Sequence, residues 1–140
     1  MKLSSKGRYA VMALADMARF NQIEPISLRD ISLRQGISLV YLEQLFLKLK
    51  KNNVVKSIRG KKGGYILSRN ASDIKISEIF FAVEEKVKTI GCEKHSKKGC
   101  NGRSAKCISH NLWDELEDYI NNFFQKKSLS DLINKSENRV

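Results

Sequence analysis

Apolar residues recur at helical spacing in several stretches of the chain, and each stretch predicts an amphipathic helix. Repeats of three and four residues place apolar side chains on one face of an α-helix and leave polar residues on the other. The stretches span residues 5–20, 28–34, 39–51, 77–87 and about 105–127. The pattern therefore predicts a mainly α-helical chain.

The helices predicted over residues 28–34 and 39–51 are expected to form a helix-turn-helix. Gly36 lies between them, and glycine readily adopts the positive φ with which many helices end. Ser27 and Ser38 each stand where a hydroxyl can cap the start of the following helix. In the second helix, the stripe expected to face the core consists of Leu42, Leu45, Phe46 and Leu49. The opposite face of that helix is therefore free to meet a partner.

A β-hairpin is predicted directly after the helix-turn-helix. Residues 54–58 and 65–68 read as two strands, and the turn between them is rich in glycine and lysine. This order of elements indicates a mainly α fold: a winged helix-turn-helix with a small β-hairpin wing and a long C-terminal helix.

The long C-terminal helix is apolar over a wider face than one domain needs. Trp113 and Phe124 lie beside its main stripe, which consists of Leu112, Leu116, Ile120 and Phe123. We interpret this stripe as the seam of a homodimer, in which the helix pairs with its copy. The alternative is that the stripe packs only within its own chain.

Charge is distributed unevenly along the chain. Residues 1–70 hold 14 Lys or Arg against 4 Asp or Glu, whereas residues 71–140 hold 12 against 11. Nearly all of the net charge of +11 therefore lies in the half that contains the helix-turn-helix. A basic surface favours a polyanionic partner, because neutralised phosphates release condensed counterions. Double-stranded DNA is the partner that the pattern predicts, and a merely solvated basic surface is the alternative.

The free face of the second helix carries side chains suited to reading DNA. The major groove admits one α-helix, whose N-terminal residues reach the base edges. Gln44 can form two hydrogen bonds with adenine, Val40 can pack against a thymine methyl group, and Glu43 disfavours bases that offer its carboxylate no donor. In the wing, Arg59 is suited to the minor groove. The predicted DNA-binding residues are Ser38, Val40, Tyr41, Glu43, Gln44, Lys48, Ser57, Arg59, Gly60 and Lys61.

Three cysteines and a histidine fall within nineteen residues, and together they predict a metal site. The four are Cys92, Cys100, Cys107 and His110. The last two are spaced as one helical turn at the start of the long helix. Three thiolates and an imidazole suit tetrahedral zinc or an iron–sulfur cluster, and spacing alone favours zinc. His95, in the same loop, is a weaker ligand candidate and more typical of a solvated residue.

Several other classes of function are disfavoured. No segment approaches the roughly 18 to 20 apolar residues that span a membrane. An odd number of cysteines without an export signal favours reduced thiols and a cytoplasmic location. The chain has no Cys-x-x-Cys pair, phosphate-binding loop or carboxylate dyad, so an enzyme with a small-molecule substrate ranks last. A zinc-stabilised nucleic-acid-binding module remains the main alternative.

Several blocks of the sequence closely resemble the IscR family of iron–sulfur cluster regulators, over nearly the whole chain. They are KLSSKGRYAVMAL, DISLRQGISLVYLEQLFLKLKKNNVV, SIRGKKGGYIL and the spaced Cys, Cys, Cys, His. The histidine three places after Cys107 points to this family within a wider group of winged-helix repressors.

The resemblance implies a homodimeric repressor in which Cys92, Cys100, Cys107 and His110 hold a 2Fe-2S cluster, so that iron is favoured over zinc. It also implies that the loaded protein represses cluster-assembly genes and that falling cluster supply relieves this repression. The expected organisation is a DNA-binding domain at 1–87, a cluster-binding loop at 88–110, a dimerisation helix at 105–127, and a short helix and tail at 128–140.

Overall fold

Helices dominate the described part of the chain. The computed structural model describes residues 3–20, 24–88 and 108–137. In chain order, its elements are α1 (Ser5–Ala18), α2 (Leu28–Gln35), α3 (Leu39–Lys51), β1 (Val55–Ile58), β2 (Gly64–Leu67), a 3-10 turn (Ala71–Asp73), α4 (Ile76–Ala82), α5 (His110–Lys126) and α6 (Leu129–Glu137). The predicted mainly α fold with a two-stranded wing is confirmed.

The core forms where α1, α3 and α4 meet. All four residues of the predicted α3 stripe are buried, and Leu14 and Met17 of α1 and Ile79 of α4 are buried against them. Full burial of one such side chain stabilises the fold by about 1.5–3 kcal/mol. The apolar stripes therefore fix which face of each helix points outward, and the outward face of α3 is the one predicted to read DNA.

The helix-turn-helix has the local geometry that its sequence predicts. The Ser27 hydroxyl accepts a hydrogen bond from the Asp30 backbone N–H at 3.1 Å, and the Ser38 hydroxyl accepts one from the Tyr41 N–H at 3.4 Å. Gly36 ends α2 with a left-handed φ of 67°, a conformation that side chains with a Cβ rarely adopt. Both predicted caps and the predicted turn are confirmed.

The wing is an antiparallel hairpin that is anchored on two sides. Val55 pairs with Leu67, and Ile58 pairs with Gly64. Tyr65 exchanges two backbone hydrogen bonds of 2.8 and 2.9 Å with Ile26, just before α2. The Tyr65 ring also packs edge-on against Phe46 of α3, with 5.0 Å between ring centroids. These contacts fix the wing relative to the helix-turn-helix.

The largest differences from the predicted helix boundaries are at the end of α4 and the start of α5, and α1 also ends two residues before the predicted residue 20. The helix predicted over 77–87 ends at Ala82, because Glu84 adopts a left-handed φ of 61° and the Glu85 N–H bonds back to the Phe80 carbonyl oxygen at 2.8 Å. The long helix does not include residues 108–109, which form a turn before its start at His110. The left-handed residue Glu84 and the turn at residues 108–109 therefore shorten both helices relative to the apolar pattern.

The junction between α5 and α6 is fixed to the rest of the domain. The Ile76 N–H donates to the Lys127 carbonyl oxygen at 2.9 Å, and the Leu129 N–H donates to the Ile74 carbonyl oxygen at 3.0 Å. The Asp131 carboxylate accepts a hydrogen bond from the Ser128 N–H at 2.9 Å, as in a capping box at the start of α6. Leu129 is fully buried, and α6 packs against α1. The C-terminal helices are therefore part of the same core.

Candidate nucleic-acid interface and metal centre

The outward face of α3 presents three of the predicted reading residues together. Val40 is 63% exposed, and Glu43 and Gln44 are also exposed. Their spacing of three and four residues places them on adjacent turns of one helical face near the start of α3. An apolar, an acidic and an amide side chain are therefore available to base edges at the end of a helix that can enter the major groove.

Tyr41 lies differently from its neighbours on α3. It is half-buried, its hydroxyl lies 3.0 Å from the Ser5 hydroxyl, and its ring packs edge-on against Tyr9 with 5.8 Å between centroids. These contacts join the start of α3 to the start of α1. Tyr41 thus orients the reading face as well as bordering it. Ser38, which is exposed and lies three residues earlier, caps the helix.

The wing tip presents exposed cations on a turn that requires glycine. Arg59 and Lys61 are exposed, whereas Ser57 in β1 is half-buried. Gly60 adopts a φ of 122°, and a Cβ on Gly63 would collide with the Ile58 carbonyl oxygen. The glycines therefore make the slim turn that places cations at the tip, as a wing entering a minor groove would require.

Lys48, the last predicted DNA-binding residue on α3, has an acidic neighbour that the sequence did not indicate. Its Nζ lies 3.4 Å from Oε2 of Glu84, beyond the end of α4. The two residues are 36 positions apart, and no local pattern connects residues at that separation. The pairing depends on the left-handed backbone at Glu84, which the helical pattern of this region did not predict.

A buried carboxylate fixes α2 against α1. Asp16 has no exposed surface and accepts hydrogen bonds from Arg34 through Nε (3.0 Å to Oδ2) and Nη2 (2.7 Å to Oδ1), from Arg19 at 3.1 Å and from Gln35 at 2.8 Å. Burial raises the pKa of Asp16, but the hydrogen bonds and charge of Arg34, with Gln35 and Arg19, outweigh it and lower that pKa overall. The network sets the position of the first helix of the helix-turn-helix.

Only one of the four predicted metal ligands lies in the described part of the chain. Cys92, Cys100 and Cys107 fall within 89–107, outside the described residues. His110 is the first residue of α5 and is buried. Among the residues that the structure describes, its Nδ1 has no hydrogen-bond partner, and no group of three or more potential ligands is assembled. An imidazole nitrogen held in this way suits a role as a ligand.

The stripe predicted as a dimer seam is largely uncovered. Leu112 is 59% exposed, Phe123 is 51% exposed, and Leu116 is also exposed. Ile120 instead is half-buried and packs against the core, while Tyr119 is 77% exposed and lies in line with the uncovered residues. Leu112, Leu116, Tyr119 and Phe123 therefore form an exposed apolar stripe along α5 in one chain. No helix within the described ranges is long and apolar enough to cross a membrane.

Comparisons with known proteins agree with this arrangement. The Rrf2 family model, described as an iron-dependent transcriptional regulator, matches residues 3–135. The HTH-type transcriptional regulator IscR of Photorhabdus laumondii is 49% identical over 137 residues, covering 98% of this chain and 82% of the relative.

Solved structures show the same fold. IscR of T. potens superposes with a TM-score of 0.78 at 33% identity, covering 99% of this chain and 90% of the other. CymR, the global cysteine regulator of B. subtilis, superposes with a TM-score of 0.80 at 27% identity, covering 96% and 98%. These relatives are transcriptional regulators and not enzymes, which confirms the resemblance to IscR and the predicted class of function. The chain belongs to the Rrf2 family of transcriptional regulators.

Proposed function

We propose that this regulator is a cytoplasmic homodimer that represses transcription by binding operator DNA and that senses the supply of iron–sulfur clusters. Cys92, Cys100, Cys107 and His110 would hold a 2Fe-2S cluster. When bound, the cluster would be a labile, redox-active group. The fraction of the protein that carries it would follow the supply of clusters in the cell. Repression of cluster-assembly genes would then follow cluster occupancy.

The buried imidazole nitrogen Nδ1 of His110, which has no hydrogen-bond partner among the described residues, carries this proposal. A buried polar atom without a partner costs about 1–3 kcal/mol, so such atoms are uncommon unless a water, an ion or a ligand completes them. Three cysteines precede this histidine, and three thiolates with one imidazole suit an iron–sulfur cluster.

The position of His110 connects the proposed cluster to the proposed dimer. It is the first residue of α5, and the uncovered apolar stripe begins two residues later at Leu112. A ligand that orders the start of this helix also orders the stripe, and the far end of the helix is fixed to the domain by Lys127 and Leu129. Ligation at His110 would therefore act on α5, the helix whose pairing would set the distance between the two α3 helices of a dimer.

A homodimer explains the free stripe on α5 and predicts the form of the operator. Leu112, Leu116, Tyr119 and Phe123 recur every three or four residues, as a helix-pairing seam requires. In a two-fold dimer the two α3 helices would meet successive major grooves, about 34–36 Å apart. The expected operator is therefore an imperfect palindrome with half-sites one helical turn apart.

Zinc is the alternative occupant, because three thiolates and one imidazole are also a common structural zinc set. The chain would then be a zinc-stabilised regulator without cluster sensing. The two metals differ in colour and in composition, since zinc is spectroscopically silent and contributes no sulfide.

The experiment is anaerobic purification followed by iron, sulfide and zinc analysis and visible spectroscopy. We expect about two irons and two sulfides per chain, and loss of the visible absorption in His110→Ala. His95→Ala is the matched control, because it removes a histidine from the same loop that the proposal does not use. Stoichiometric zinc without iron would overturn cluster sensing, and equal loss in both variants would overturn the assignment of His110.

A further inference from the structure

The segment after α4 contacts the recognition helix through an ion pair. The Lys48 ammonium lies 3.4 Å from a Glu84 carboxylate oxygen, and the two side chains are 42% and 72% exposed. Lys48 follows Val40 and Gln44 at intervals of four residues, so it lies on the same stripe of α3 as these two reading residues. The Glu84 carboxylate is therefore paired with an ammonium group that the reading face would otherwise offer to a DNA phosphate.

Glu84 is held in place by contacts with α1. The Lys6 ammonium donates to the Glu84 carbonyl oxygen at 3.3 Å, and the carboxylate of Glu85 accepts the Ser4 hydroxyl with 2.8 Å to each oxygen. Gly7 leaves the room that Glu85 needs, since a Cβ there would lie 2.7 Å from Glu85 Cγ. Together with the left-handed φ of 61° at Glu84, these contacts fix the backbone from which its side chain reaches α3.

A carboxylate and a DNA phosphate compete for the same ammonium group. A phosphate that takes up Lys48 must displace or share Glu84, and the lost pairing opposes binding. The pair is exposed, so its strength lies in the range of surface ion pairs, which corresponds to no more than about fivefold in an equilibrium constant. The competition involves the backbone phosphates and not the bases, so it acts equally on all DNA sequences.

We propose that Glu84 is a positioning residue that limits DNA affinity by holding the Lys48 ammonium in the unbound protein. This inference rests on the DNA-binding function and adds to it a residue outside the helix-turn-helix and the wing. It sets how strongly the protein binds any duplex, whereas Val40, Glu43 and Gln44 set which duplex it prefers.

The first test is Glu84→Gln in the 140-residue chain, measured by fluorescence anisotropy with an operator duplex and with an unrelated duplex at low salt. We expect the Kd for both duplexes to fall by about two- to fivefold, with the ratio of the two Kd values unchanged. A changed ratio or an unchanged Kd would overturn the proposal.

The second test is a double-mutant cycle with Lys48→Met, which keeps an apolar stem but removes the charge. In the Lys48→Met background, Glu84→Gln should leave the Kd unchanged. An equal gain in both backgrounds would show that Glu84 merely repels phosphates at a distance, which would overturn the proposal.

Glu78→Gln is the matched control. It removes the same charge and also breaks an exposed ion pair, but its partner, at 2.6 Å, is Arg69 after β2 and not a residue of α3. Its Kd should change less than that of Glu84→Gln, and an equal change would refute a specific role for Glu84. Thermal unfolding of each variant shows whether it is folded. Failure of the wild-type chain to bind either duplex would instead overturn the DNA-binding function itself.

Discussion

The helices α3 and α5 are both amphipathic, but they bury their apolar faces to different extents. In α3 the whole stripe is buried, and Leu42 and Leu49 have no exposed surface. In α5, more than half of the surface of Leu112 and of Phe123 stays exposed. A stripe buried within its own chain stabilises the fold, whereas an apolar stripe left in water indicates an interaction surface. The apolar face of α3 is therefore covered within one chain, whereas we propose that a second copy of the chain covers the stripe of α5.

The largest expected effect is on the buried stripe of α3. Leu49→Ala should lower the free energy of unfolding by about 2–5 kcal/mol, because it removes apolar contacts and leaves a cavity. Chemical denaturation checks this, with exposed Leu47→Ala as the control on the same helix. A loss below about 1 kcal/mol would contradict the described packing of α3.

A charged substitution in the uncovered stripe of α5 should weaken dimerisation. Leu112→Asp places a carboxylate in an apolar seam twice per dimer, so the dimer dissociation constant should rise by at least about 100-fold. Analytical ultracentrifugation measures this rise. Leu33→Asp is the control, because Leu33 is an exposed apolar residue on α2, outside the stripe. A wild-type chain that sediments as a monomer at micromolar concentration would contradict the proposed dimer and the interpretation of the exposed stripe on α5.

The buried Asp16 network should contribute less than the apolar core but in a pH-dependent way. Asp16→Asn should lower the free energy of unfolding by about 1–3 kcal/mol near neutral pH, because it removes the charge that Arg34 and Arg19 bind. The pKa of Asp16 is lowered in the folded state, so the stabilisation is present above the ordinary carboxyl pKa of 3.8 and is lost as the pH falls through the lowered value.

Denaturant titrations of the wild type and Asp16→Asn at a series of pH values test this prediction. The difference between the two proteins should be constant near neutral pH and should narrow in acid below pH 3.8. A difference that stays constant throughout the acid range would mean that the charge of Asp16 contributes nothing to stability.

The smallest expected effect is on selectivity at the free face of α3. Glu43→Ala should reduce the preference between favoured and disfavoured bases by about 1 kcal/mol, or about fivefold, because a carboxylate can accept only where a base offers a donor. Selection from a randomised operator library measures this preference. Glu78→Ala is the control, and identical site preferences for wild type and Glu43→Ala would remove Glu43 from the reading set.

The sequence was most informative where structure depends on near neighbours. The caps at Ser27 and Ser38 and the turn at Gly36 follow from contacts within a few residues along the chain, and the α3 stripe follows from the spacing of its apolar residues. All of these were predicted. Asp16 was not predicted as buried, because its main partner Arg34 lies 18 residues away in sequence. Periodicity alone does not give the geometry that lets a carboxylate be buried among cations.

The orientation of α5 and the end of α4 show the same limit. The predicted stripe contained Ile120, but packing against the core turns Ile120 inward and leaves Tyr119 exposed in line with the other residues. Glu84 interrupts a helix-like pattern because contacts with Lys6 and Lys48, distant along the chain, fix its backbone and side chain. The assignment of the three cysteines stays a prediction, since they lie outside the described residues.

The central claim is that ligation at the start of α5 controls the reading head on α3. The most direct measurement is the Kd for operator DNA of anaerobically purified protein, before and after loss of the cluster, for the wild type and His110→Ala. The account predicts a change of about 5- to 150-fold in the wild type, the usual range of coupling between two sites, and no change in His110→Ala. A wild-type Kd that is the same with and without the cluster would contradict it.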